Sequence, residues 1–166
     1  MMNNTHFAQF IPPTAWHFAT GTFTNVAGQV AGTICVHRAA ANETTVVTIP
    51  IVVPSNAVAL QGVKLASIEV DYELLVAEPT SITWTLNKVT RGAEGAVAVV
   101  AAVTKTNTVA DAAAKTVDQH KQVITLTTPA FIDNDEYYLL ECSIVAGAGG
   151  NTADFIGAVA NFTLRA

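Results

Sequence analysis

Glu69, Asp71 and Glu73 alternate along one segment of the chain. In an extended strand such carboxylates project from one face at intervals of roughly 6.6–7 Å, a spacing comparable to that of the paired acids of glycosidases. That reaction also needs one acid held in an apolar pocket with a raised pKa. Here the row alternates with Ile68, Val70, Tyr72 and Leu74, which places the acids on the solvated face. The row therefore reads as a solubilising or lysine-pairing face, with an inter-subunit or calcium contact as the functional alternative. Asp133-Asn134-Asp135-Glu136 resembles an oxygen-rich calcium turn but lacks the ligand spacing of a full loop, and Asp/Asn turns form readily without metal. His6, His17, His37 and His120 are dispersed, with no pair at i, i+2. Ser55, Ser67, Ser81 and Ser143 have no neighbouring base, and no nucleophile elbow, phosphate loop, His-Glu-x-x-His or Cys-x-x-Cys is present. No catalytic residue, cofactor or metal site is predicted, and the chain does not read as an enzyme.

Trp16, Trp84, Tyr72, Tyr137 and Tyr138 raise the question of a sugar platform. Trp84 and Tyr72 fall on apolar faces, where a ring is core. Only one of Tyr137 and Tyr138 can face outward, which leaves a single candidate. Asn3, Asn42 and Asn161 each begin an Asn-x-Ser/Thr sequon and are the possible glycosylation sites.

The elements that carry these residues are strands. Val47, Ile49 and Ile51 share a face, as do Ile82, Trp84 and Leu86; Tyr138, Leu140, Cys142 and Ile144; and Ile156, Ala158, Ala160, Phe162 and Leu164. Trp16, Phe18, Thr20 and Thr22 form one face of an earlier run. Period two in segment after segment is the pattern of half-buried strands, and the abundant Val and Thr favour a pleated surface. Turns at residues 25–28, 40–43, 54–56, 78–80, 91–95, 133–135 and 147–151 divide the chain into eight or nine strands. The prediction is an all-β, single jelly-roll or Greek-key β-sandwich over residues 14–166, preceded by an extended arm over residues 1–13. Residues 111–122 form either one or two helical turns or an irregular crossover.

Only 13% of the 166 residues are charged, against 51% hydrophobic, where about 25% charged is usual. The net charge of −5 and scattered basic residues exclude nucleic acid as a partner. The longest purely apolar run is eight residues, far below the roughly 18 of a spanning helix. Sparse charge on a chain without a span points to surface hidden in an assembly. No basic stretch followed by an apolar one opens the chain. An extracellular or virion-surface protein of this sequence would leave by another route such as lysis, or derive from a longer precursor. Cys35 and Cys142 read as two separate thiols.

Two segments have apolar surface that a lone sandwich would struggle to cover. Residues 96–103 are apolar on both faces, and Val97, Val99, Val100 and Val103 are the candidate subunit contacts. The arm carries Phe7, Phe10 and Ile11 and is cut off by Pro12-Pro13, which cannot sit inside a ladder. It must dock, either back on its own domain or as an added strand on a second copy of the chain. The second option, repeated head to tail, builds a filament.

The stretch Leu60-Gln61-Gly62-Val63-Lys64-Leu65-Ala66-Ser67-Ile68-Glu69-Val70-Asp71-Tyr72 and the ending Asp154-Phe155-Ile156-Gly157-Ala158-Val159-Ala160-Asn161-Phe162 resemble those of uncharacterised bacterial and phage-associated β-proteins. In style the chain is similar to jelly-roll subunits of extracellular fibrils that exchange an N-terminal strand. That resemblance implies a homopolymeric structural subunit with no catalytic residues. A virion fibre protein or a monomeric carbohydrate-binding sandwich, with glycans as partner, is the alternative expectation.

Overall fold

Alternation of apolar and polar side chains drives this chain into strands that each bury one face. The computed structural model describes residues 4–27, 34–52, 62–92, 99–109, 111–133 and 135–165. Its strands are β1 (Asn4–Ile11), β2 (His17–Ala19), β3 (Phe23–Ala27), β4 (Ile34–Ala41), β5 (Thr45–Ile51), β6 (Val63–Leu75), β7 (Ser81–Thr90), β8 (Val99–Ala102), β9 (Lys105–Asn107), β10 (Gln119–Leu126), β11 (Glu136–Val145) and β12 (Asn151–Arg165). A 3-10 turn spans Pro13–Ala15, and one helical turn, α1, spans Asp111–Ala114. All pairings are antiparallel. One sheet of seven strands runs β3-β4-β12-β6-β10-β9, with β1 also on β12; the other runs β2-β5-β11-β7-β8. The two form a jelly-roll β-sandwich, as the alternation predicts.

The core lies between the sheets. Ile68, Val70, Tyr72 and Leu74 of β6 are fully buried, as are Ile82 and Leu86 of β7 and Leu140 and Ile144 of β11. At roughly 1.5–3 kcal/mol per large apolar side chain, this layer is the main source of stability. It also holds Arg38, which is fully buried and donates to the backbone carbonyls of Asn151 and Glu43 at 3.1 Å each. Burial lowers the Arg38 pKa, and the Glu43 carboxylate opposes that.

Twelve strands among the described residues exceed the eight or nine predicted, for local reasons. The run from Trp16 to Phe23 is broken at Thr20 (φ 60°) and Gly21 (φ 118°), both left-handed. A Cβ on Gly21 would also lie 3.2 Å from the Phe23 ring, so glycine is what the corner requires. β2 and β3 consequently join different sheets. Likewise, a bulge between Phe155 and Gly157 reverses the faces of β12. Phe155 is 1% exposed and Ile156 42% exposed, the opposite of what alternation through Ile156 predicts. The turn predicted at residues 25–28 falls partly inside β3, and the turns at 54–56 and 91–95 lie wholly or partly outside the described residues.

Candidate functional site

The outermost strands of the two sheets, β2 and β3, face each other across one edge of the sandwich, joined by the Thr20–Gly21 corner. Between them opens a cleft of about 200 Å³. Phe18 of β2 and Phe23 of β3, packed on each other with ring centroids 4.6 Å apart, line it. Its floor is Trp16 and Val36, both buried. The Trp16 indole N–H donates to the carbonyl of Ile11 at 3.3 Å, which fixes the ring. Phe155, beneath the floor, meets Trp16 edge-on at 5.8 Å and Phe18 at 5.7 Å. The rim carries Thr14, Thr24 and Asn25, all exposed. Among the described residues its lining holds no charged group. Such a site can pack an apolar ring face against aromatic side chains while hydroxyl and amide groups at the mouth read polar substituents.

Trp16 belongs to the aromatics weighed from the sequence, but Phe18, Phe23, Thr14, Thr24 and Asn25 do not. They come together from strands of two different sheets and, for Thr14, from the 3-10 turn before β2, which spacing along the chain does not reveal. The one local signal is the glycine between two aromatic-bearing strands.

The acidic row lies on the outer face of the seven-stranded sheet. Glu69 pairs with Lys121 and accepts from the Asn161 amide at 3.1 Å. Asn161 also donates to Ser67 at 3.2 Å, so this sequon side chain is engaged rather than free. Asn42 is exposed, and Asn3 lies outside the described residues. Two strands away, the Nδ1 of His37 lies 2.5 Å from Asp154 Oδ1. Cys35 is buried beside Asp154 and its pKa is raised, first by burial and then by that carboxylate. Cys142 is buried in the core; both thiols are unpaired. Among the described residues no three metal-type side chains converge. In the 133–136 turn, Asn134 lies outside the described residues, and the Glu136 carboxylate is held by Lys88 at 2.7 Å. The aromatics Tyr72, Trp84 and Tyr138 are buried, and Tyr137 is half-buried on the outer face of the five-stranded sheet.

Neighbouring acids in this row titrate in opposite directions. The hydrogen bond from Lys121 is the main cause that lowers the Glu69 pKa. Burial is the main cause that raises the Asp71 pKa, against the pull of Lys121. A lowered folded pKa contributes stability above the unfolded value that is lost as pH falls through the folded one; a raised one costs stability at neutral pH and ceases to do so below the unfolded value. We therefore expect Asp71→Asn to raise the urea midpoint at pH 7 and to give no gain near pH 3, below the ordinary Asp value of about 3.9. Glu69→Gln should lower the midpoint at pH 7. Equal shifts at both pH values would contradict this assignment.

Of the two places considered for the arm, β1 takes the one on its own chain, pairing along its whole length with β12. Phe7 stacks on Phe162, centroids 5.0 Å apart, and Ile11 is buried. Phe10 lies on the outer face, 61% exposed, its ring over Gly157, where a Cβ would come within 2.6 Å of it. β4 covers only the first part of β12, so the place beside its second part is open to the arm. Of the valines assigned to contacts, Val97 lies outside the described residues and Val99 is placed only as backbone in β8. Val103 packs against the chain's own core, and Val100 is exposed at 59%. No helix among the described residues is long and apolar enough to cross a membrane.

No family model and no curated protein matches the chain. Solved structures similar to it include a promiscuous carbohydrate-binding module of the β-sandwich superfamily, at 10% identity and TM-score 0.49, covering 92% of this chain and 54% of that one. A xylan-binding domain from Paenibacillus barcinonensis is 12% identical with TM-score 0.45, covering 95% of this chain and 92% of that one. A carbohydrate esterase from the Shiga toxin-encoding bacteriophage phi24B is 11% identical with TM-score 0.42, covering 92% and 91%. The chain thus spans about half the length of the first of these, and the likeness to all three is one of fold.

Proposed function

We propose that this chain is a non-catalytic β-sandwich module that binds carbohydrate, working outside the cell or on a virion surface. The observation that carries the reading is the uncharged aromatic cleft between β2 and β3. Sugar rings present a face of polarised C–H groups that packs on the negative face of an aromatic ring. Their hydroxyls both donate and accept, which suits Thr hydroxyls and an Asn amide. A ring of about twelve heavy atoms, at roughly 0.3–0.5 kcal/mol per atom, would gain about 4–6 kcal/mol, a Kd between about 1 mM and 40 μM.

The test is a glycan array followed by calorimetry on the hits. Phe23→Ala should weaken binding about tenfold, the equivalent of ~1.4 kcal/mol, with the fold intact by circular dichroism. A chain that retains no glycan in either assay, at sugar concentrations up to several millimolar, is not a carbohydrate-binding module.

A further inference from the structure

Resting on that reading, we infer that the cleft receives the terminal ring of a neutral glycan end-on, and does not hold a segment from within a chain. The floor is closed, which leaves entry from the rim. Trp16 and Val36 are only 6% and 4% exposed, and Phe155 behind them is 1% exposed. Beyond the floor is the packed interior of the sandwich, so a ligand that enters has no second exit. Size points the same way. At about 200 Å³ the cleft is smaller than the roughly 300–1,000 Å³ of sites that enclose larger organic ligands, and it suits one ring.

Chemistry then limits which ring. Uncharged polar groups stand at the mouth, on Thr24 and Asn25, while the depth is aromatic. A carboxylate or ammonium carried into that depth would lose its hydration with no opposite charge in the described lining to replace it. Uronic acids, sialic acids and amino sugars are therefore disfavoured, and a neutral hexose or pentose end fits. Thr24 and Asn25 are the residues that read its hydroxyls.

The competing geometry is on the same molecule. Phe10, lying over Gly157 on the outer face of the seven-stranded sheet, is an exposed ring on an open surface, one strand across from Val159, which in turn lies opposite Glu69. A glycan there would run lengthwise, gaining contacts with every added ring. The two arrangements differ in their response to chain length, charge and substitution.

The experiment uses the full chain and an array holding neutral, anionic and amino-sugar oligomers. Each neutral hit is then titrated by calorimetry as its own two-, four- and six-ring series. End-on binding predicts affinities within about threefold across the series, and weak or no binding of chains that end in charged rings. It also predicts about tenfold loss in Asn25→Ala, a smaller loss in Thr24→Val, and a change under twofold in Phe10→Ala. Affinity that climbs tenfold or more from two to six rings and is lost in Phe10→Ala would overturn the inference while leaving carbohydrate binding in place. Equal retention of charged chain ends would overturn the neutral assignment. Failure of every glycan to bind would remove the underlying reading as well.

Discussion

Phe155→Ala is expected to lower the unfolding free energy by about 3–5 kcal/mol, the usual cost of truncating a fully buried phenylalanine. The ring is 1% exposed and touches both Trp16 and Phe18. Its removal leaves a hole under the cleft floor, so binding should fall further than in Asn25→Ala, in which only the rim changes. Urea unfolding measures the first effect and calorimetry the second. Phe155→Leu separates them, since it keeps most of the buried volume and should lose about 1–1.5 kcal/mol while still unseating the indole. A loss below 1 kcal/mol in Phe155→Ala would mean that the ring does not support this end of the core.

The second large effect concerns the arm. The double substitution Phe7→Ala, Ile11→Ala removes the stack on Phe162 and a buried side chain at the point where Ile11 also accepts the Trp16 indole bond. The expected loss is about 3–6 kcal/mol, from two large apolar side chains at roughly 1.5–3 kcal/mol each. The native chain should meanwhile show the same thermal midpoint from about 1 to 100 μM, because a strand seated on its own chain has no mass-action term. A midpoint that rises with concentration, together with a species larger than a monomer on sizing, would show that the arm is exchanged between copies.

Much of the architecture is legible in the residues. Alternation over Val47–Ile51, Ile82–Leu86 and Tyr138–Ile144 marks the strands and the faces they bury. The misassigned faces follow bulges and corners. Period two continues through Ile156 in the sequence, but one extra residue in β12 turns Phe155 inward. The corner at Thr20 and Gly21 sends two halves of one apparent strand into opposite sheets. Arg38 is a further case, since nothing in its neighbours signals that a guanidinium will be buried on two backbone carbonyls. The cleft was the least legible feature because it belongs to neither strand alone. Phe18 and Phe23 become one site only after the sheets stack.

β12 follows β1, β4 and β6 in the sequence and is a central strand of their sheet, flanked along its length by β6 and, on its other side, by β4 and then β1. On the ribosome this is a scheduling constraint. Asn4 leaves long before Arg165, by on the order of 10 s at typical elongation rates. During that interval β1, β4 and β6 have no partner at the position β12 will occupy, and their apolar faces stand open. The seven-stranded sheet therefore closes only once β12 has emerged, and any ribosome stall before residue 151 would leave an aggregation-prone chain in need of a chaperone.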